Sequence, residues 1–269
     1  MGREEWIQLV KDIGCNEISL RDERYDCVVH MVSAACGAEE HYNKDSTQIR
    51  SEGIELARKL DNSVLNAWIG HPYYEIVDNR TGFEEKLNRV VQCVLKRLGL
   101  NDNRSGANVL KAKFLLTDYN PDQIPAPFRD FEVQHNYLVT TDDTRVRIRK
   151  RGFDNCFAYT MTTTTEKFDA DGHRVETRRS LSSREYEALQ LQLDQTRASI
   201  VKKRKVFLYK NCYFHIDQFE SPRKGLVIME AYLPSDLPND DFLPPFVTVK
   251  ENITGVKDYS MYEMARIDE

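Results

Sequence analysis

The run Arg145-Val146-Arg147-Ile148-Arg149-Lys150-Arg151-Gly152 sets arginines at alternate positions. A β-strand sends alternate side chains to one face, so one side of this strand is a row of guanidinium groups. Like charges this close repel unless an anion sits among them, and the planar guanidinium fork matches phosphate oxygens. Two readings follow. The run is either a solvated edge strand whose charge deters aggregation, or the wall of a site for a polyphosphate or phosphorylated headgroup.

Neighbouring segments of the C-terminal half alternate in the same way. In Phe131–Tyr137, Glu132, Gln134 and Asn136 alternate with Phe131, Val133 and Tyr137. Arg174, Glu176 and Arg178 share one parity, as do Lys202 and Arg204, while the segments around Asp217 and Glu230 contribute one carboxylate each. A sheet closed into a barrel could turn all these groups into one polar tunnel.

The ordered series Glu132-Val-Gln134, Arg147-Ile-Arg149, Arg174-Val-Glu176, Lys202-Lys-Arg204, Asp217 and Gly225-Leu-Val-Ile-Met-Glu230 resembles the CYTH, or triphosphate tunnel, domain over roughly residues 108 to 266. The resemblance implies an eight-stranded antiparallel tunnel in which basic residues hold phosphates and acidic residues hold Mg²⁺ or Mn²⁺. On that pattern Arg145, Arg147, Arg149, Arg174, Lys202 and Arg204 are the phosphate-binding candidates. Glu132, Glu176, Asp217 and Glu230 are the metal candidates. The family's Glu-x-Glu-x-Lys motif reads Glu132-Val-Gln134-His135-Asn136 here, and Arg178, His215 and Tyr232 stand where further acids would fall. Hard cations favour carboxylate and phosphate oxygens, so binding without turnover is the simpler expectation and no catalytic residue is assigned.

The N-terminal part reads as helices alternating with short parallel strands: a helix over Glu4–Ile13, an apolar strand over Tyr25–Val32, a helix from Ser46 to about Trp68, a strand at Tyr73–Val77 and a helix over Phe83–Leu98 ending at Gly99. The strings Arg24-Tyr-Asp26, Val28-Val-His30, Arg50-Ser-Glu-Gly53, Trp68-Ile-Gly-His71-Pro72 and Val77-Asp78-Asn79 resemble the P-loop domain of the NadR-like proteins. Together the two halves resemble the family of TRPL translocation defect proteins. A Gly-x-x-x-x-Gly-Lys-Ser/Thr string, which would cradle phosphates, does not occur. The expected architecture is therefore α+β: residues 1–105 as the C-terminal part of a P-loop-type α/β domain, in which a preceding half would carry the P-loop, and residues 106–269 as an antiparallel CYTH-like tunnel barrel.

A net charge of −5 argues against a generally nucleic-acid-binding surface and confines any anion site to a local cavity. No run approaches the ~20 apolar residues of a membrane span, and the N-terminus lacks the regions of a signal peptide. The expected setting is cytoplasmic, with peripheral contact at endomembranes. The six scattered cysteines read as reduced thiols. Ser182–Leu193 reads as a capped helix that could close the tunnel as a lid. The expected function is a phosphate-ligand binding protein serving membrane-protein trafficking, with GTP and phosphoinositide recognition implied by the resemblance. The alternatives are a metal-dependent CYTH-type triphosphatase and a scaffold whose tunnel is filled by internal salt bridges.

Overall fold

In the second half of the chain, segments rich in β-branched and aromatic residues form strands, two pairs of them joined by two-residue turns at Asp154-Asn155 and Lys210-Asn211. The computed structural model, which describes residues 2–42, 52–98, 109–141, 144–168, 174–234 and 242–267, builds them into one nine-stranded antiparallel sheet. The strands are β3 (Val109–Tyr119), β4 (Arg129–Tyr137), β5 (Thr144–Phe153), β6 (Cys156–Phe168), β7 (Arg174–Leu181), β8 (Ile200–Tyr209), β9 (Cys212–Ser221), β10 (Val227–Pro234) and β11 (Val247–Asn252). Their order is β11-β3-β10-β9-β8-β4-β5-β6-β7. Among the described residues β7 and β11 pair with only one neighbour each, so the ladder has two ends where the resemblance implies a closed eight-stranded tunnel.

Ahead of the sheet lie α1 (Arg3–Asp12), α2 (Glu17–Arg21), β1 (Val28–Met31), α3 (Ile54–Ala67), β2 (Tyr74–Val77) and α4 (Phe83–Leu98). β1 and β2 pair in parallel, Val28 opposite Tyr74. The expected helix start at Ser46, the 105/106 boundary and the string at Arg50 fall outside the described residues. α4 agrees with its periodicity at both ends, and α2, capped by the Asn16 side chain accepting from Ser19 N–H, is an element the periodicity missed. All six cysteines are free thiols.

Residues opposite one another across a ladder share a face, and the register sorts the sheet into two unlike sides. One side is apolar. Phe114, Phe207, Phe214, Ile216, Met229 and Leu233 pack there against Ile124 and Phe246. Further along, Ile148, Leu181 and Leu138 pack against Tyr186 and Leu189 of α5 (Ser183–Leu189). Helix α5 starts at Ser182, whose Oγ accepts from Glu185 N–H while the Glu185 carboxylate accepts from Ser182 N–H. Ile148 alternates with the arginines along β5, so α5 buttresses the side away from them. The expected lid is thereby corrected: the helix follows its own apolar stripe to the apolar face.

The opposite face carries the charge, and it is covered at both ends. Ile18, Ile69 and Tyr74 pack on Phe131, Val133, Val206 and Tyr213, while Ile253, Met264 and Ala265 pack on Leu115, Tyr137, Ile200, Phe219 and Ile228. Gly70 is the tightest point of the first contact. Its φ of +94° suits glycine, and a Cβ there would lie 2.8 Å from the Phe131 ring. Its N–H donates to Tyr213 Oη (2.7 Å), and its carbonyl accepts from Arg151 Nη2 (2.5 Å). Arg151 also pairs with Asp22 at 2.5 Å, both side chains being 4% exposed. The N-terminal helices are therefore fastened to the sheet by a buried ion pair.

Candidate functional site: a basic face with two unlike halves

Register carries the arginine parity of β5 across the sheet. Arg147, Arg149 and Arg151 stand opposite Tyr137, His135 and Val133 of β4. Val133 and Phe131 in turn stand opposite Lys202 and Arg204 of β8. Arg204 faces Asp217 of β9, and Val206 faces His215. His215 faces Glu230 of β10, whose other neighbour is Lys113 of β3, with Lys111 opposite Tyr232. On the other flank, Arg147 and Arg149 stand opposite Thr162 and Thr160 of β6, and Thr162 and Thr164 opposite Arg178 and Glu176 of β7.

Of the candidates named from sequence, Arg145, Arg147, Arg149, Lys202, Arg204, Glu176, Asp217 and Glu230 thus share one face. Glu132 does not join them. It is exposed and lies opposite Lys203 and Gly152, on the other side of the sheet, as do Gln134 and Asn136. That assignment is corrected, because alternation within a strand divides its residues into two sets and only the register says which set meets its neighbours. Asn136 instead donates to Tyr186 Oη (3.3 Å) and accepts from Ser199 Oγ (2.6 Å) behind the sheet. Arg174 opens β7 opposite Phe168, and its side chain lies outside the described residues.

One half of the face is neutralised from within. Asp217, 1% exposed, accepts from Lys202 Nζ (2.6 Å), Arg204 Nε (2.6 Å) and Arg204 Nη2 (2.7 Å). Glu230 pairs with Lys111 at 3.0 Å and lies 3.7 Å from Lys113, Arg204 and His215. Burial would raise both acids, but Arg204 and Lys202 outweigh it and hold Asp217 at about 2. For Glu230, Lys111 and His215 outweigh burial in the same direction. Lys202 is pushed down to about 8 by burial, against the pull of Asp217.

The other half lacks such partners. Arg147 and Arg149 have no carboxylate partner among the described residues, and the Nε atom of each is enclosed without a hydrogen bond. Among the described residues Arg147 reaches Thr162 Oγ1 at 3.5 Å and the Tyr137 hydroxyl. Burial first, opposed by Tyr73 and aided by Arg151 and Arg147, holds Arg149 below its ordinary value. Beside them on the same face, His135, 6% exposed, is kept neutral by burial and by Arg147, Lys202, Arg149 and Arg204.

Over Arg149 and Arg151 the N-terminal segment forms a roof. A cleft opens between Asp22, Tyr25, Asp26, Tyr73 and Arg97 on one side and Arg149, Arg151, Thr160, Arg178 and Ser180 on the other. Arg97 stacks on the Tyr73 ring at 4.1 Å, and Arg178 approaches it at 5.3 Å while pairing with Glu176. The open space is about 60 Å³, on the order of four waters. That is room for a phosphate group, with any larger moiety extending outside.

Sequence reasoning did not assign Lys111, Lys113, Tyr73 or Arg97 to the site, and it placed His135 and His215 only as departures from the family's pattern. Lys111 and Lys113 show the period of 2 that marked the arginines, so they were detectable. Tyr73 and Arg97 reach the site only through tertiary docking.

His215 sets a pH limit. Burial first and then Arg204, opposed by Glu230, push its imidazole to about 4, below the ordinary value of ~6.5. A lowered folded pKa means the unfolded chain binds the proton more readily, so this contribution is complete above pH ~6.5 and is lost as pH falls towards 4, up to ~3 kcal/mol. Asp217 titrates in a lower window, near 2. Urea midpoints should therefore fall between neutral pH and about pH 4.5; His215→Gln should reduce that slope, leaving the share of His135 and His71, which burial lowers in the same direction, and an unchanged slope in the variant would contradict the assignment.

No family model matches the chain, and no curated protein matches it. Among solved structures it is similar to the inorganic triphosphatase NE1496, at 21% identity over 59% of this chain and 95% of that one, with a TM-score of 0.44. It is also similar to the PH1819 protein from Pyrococcus horikoshii, at 18% identity over 49% and 81%, with a TM-score of 0.32. A third is HpAC1 from Hippeastrum, described as a putative adenylyl cyclase with a dominant triphosphatase activity, at 12% identity over 46% and 79%, with a TM-score of 0.31. At such identities function is argued from the site. No helix among the described residues is long and apolar enough to cross a membrane.

Proposed function

We propose that the chain is a binding protein for a phosphate-rich anion, received on the basic face by Arg147 and Arg149, with Lys202 and Arg204 beside them and Arg178 at the cleft. The observation that supports this reading is the contrast between the two halves. Asp217 and Glu230 are already held by lysine and arginine, whereas Arg147 and Arg149 lack an acid among the described residues and keep enclosed Nε donors unsatisfied. Guanidinium donors left without acceptors are costly, and an anion with several oxygens would satisfy them together. Arg145 and Arg174 belong to the same proposal at its margins.

A polyphosphate, a nucleotide and a phosphoinositide headgroup share the required chemistry. GTP and phosphoinositide recognition, a role in membrane-protein trafficking, a cytoplasmic setting with peripheral endomembrane contact, and kinship of residues 1–105 with P-loop domains are finer proposals that come from the sequence resemblance. A metal-dependent triphosphatase is the second reading, and the descriptions of NE1496 and HpAC1 favour it.

Thermal unfolding of the full chain with tripolyphosphate, GTP or inositol phosphates, paired with a phosphate-release assay, separates these readings. Ligand at ~100 times its Kd adds about 2.7 kcal/mol, several degrees for a chain of this size. The expected result is such a shift without sustained release. Turnover with Mg²⁺ or Mn²⁺ would favour the second reading, and no shift with any anion would overturn the first.

A further inference from the structure

Divalent ions such as Mg²⁺ need several oxygen ligands, chiefly carboxylates, at close range and in fixed geometry. Both oxygens of Asp217 are taken, Oδ1 by Arg204 Nε and Oδ2 by Lys202 Nζ and Arg204 Nη2. Arg204 Nη2 also lies 3.7 Å from Glu230 Oε2, so a guanidinium stands between the two carboxylates where a bridging ion would have to sit. Lys111 and Lys113 flank Glu230 from the other side. Glu176 is paired with Arg178, and Glu132 faces away. No group of three or more histidine, cysteine or acidic side chains that could hold a metal occurs among the described residues. A dication placed here would meet the fixed charges of Lys111, Lys113, Lys202 and Arg204, and the donor set does not fit one.

We propose, building on the anion-binding reading above, that the site takes its polyanion free of metal, and that Mg²⁺ opposes binding by chelating the ligand. Fixed cations do here what an ion would otherwise do: Arg204 and the lysines neutralise the acidic strands, leaving Arg147 and Arg149 to meet uncoordinated phosphate oxygens. Chelation ties up those oxygens and removes the negative charge the arginines would attract. The ligand class is thus an unchelated polyphosphate or multiply phosphorylated headgroup.

The test is calorimetric titration of the full chain with inorganic tripolyphosphate, and separately with an inositol polyphosphate, in EDTA and in excess Mg²⁺. Mn²⁺ alone is titrated in parallel and followed by electron paramagnetic resonance. The expected result is binding in EDTA that weakens by about tenfold, one decade or 1.4 kcal/mol, when Mg²⁺ exceeds the ligand, with no bound Mn²⁺ signal. Tripolyphosphate and inositol polyphosphate binding alike would assign the shared chemistry, and a preference for one names the source. Binding that appears or tightens only with Mg²⁺, or stoichiometric Mn²⁺ in the free protein, would overturn this inference while leaving the anion-binding reading intact. Absence of binding in both media would overturn that reading, and this inference with it.

Discussion

Asp217→Asn should lower the unfolding free energy by about 3–5 kcal/mol, the cost of stripping one partner from a buried ion pair. Asparagine keeps the shape, so packing against β8 and β10 is preserved and the change isolates the charge. What remains is Lys202, 2% exposed, and Arg204, both aimed at a group that no longer balances them. The gross attraction is not what the variant measures. It measures the penalty of leaving Lys202 enclosed without a close counter-ion and Arg204 with only Glu230, 3.7 Å away. Urea unfolding reads the effect as a lower midpoint at unchanged slope. A loss below ~1 kcal/mol would mean that the cluster behaves as a solvated surface pair, and the division of the face into a neutralised and an open half would fall.

Arg147→Ala with Arg149→Ala should do the opposite. A carboxylate partner for either is lacking among the described residues, so truncation leaves no described acid unpaired, and it relieves repulsion among Arg147, Arg149, Arg151 and Arg204. Unfolding free energy should hold or rise. Anion affinity should collapse, because each hydrogen bond to a charged acceptor is worth about 1.5–3 kcal/mol and 1.4 kcal/mol is a decade in Kd. The combination of unchanged or improved stability with at least a tenfold loss of affinity distinguishes a binding face from either rival. A solvated edge strand would change little in both properties, and a face filled by internal pairs would lose stability.

The parts of this arrangement that were legible in sequence follow from short periods. Alternation along Arg145–Arg151 established one guanidinium row, and Phe83–Leu98 declared a helix through its apolar spacing. The same alternation misplaced Glu132, since its strand pairs Val133, not Glu132, with Arg151 and Lys202. Helix α5 was visible, but its stripe does not say which side of the sheet it will cover. Ile148, hidden between two arginines in sequence, turned out to be its anchor. The cleft itself was not readable. Tyr73 and Arg97 reach Arg149 and Arg178 because Asp22 and Gly70 fasten the N-terminal helices to Arg151 and Tyr213. Such contacts between distant parts of the chain leave no local pattern.

The measurement that tests the central claim most directly is a calorimetric titration of tripolyphosphate into the unmutated chain and into the Arg147→Ala/Arg149→Ala variant, with melting temperatures taken on the same samples. Saturable binding to the first, at least about tenfold weaker binding to the second, and an equal or higher melting temperature in the variant is the result expected of an anion-binding face. Binding of equal strength to both proteins, or a variant that loses stability while the unmutated chain binds no anion, would contradict it.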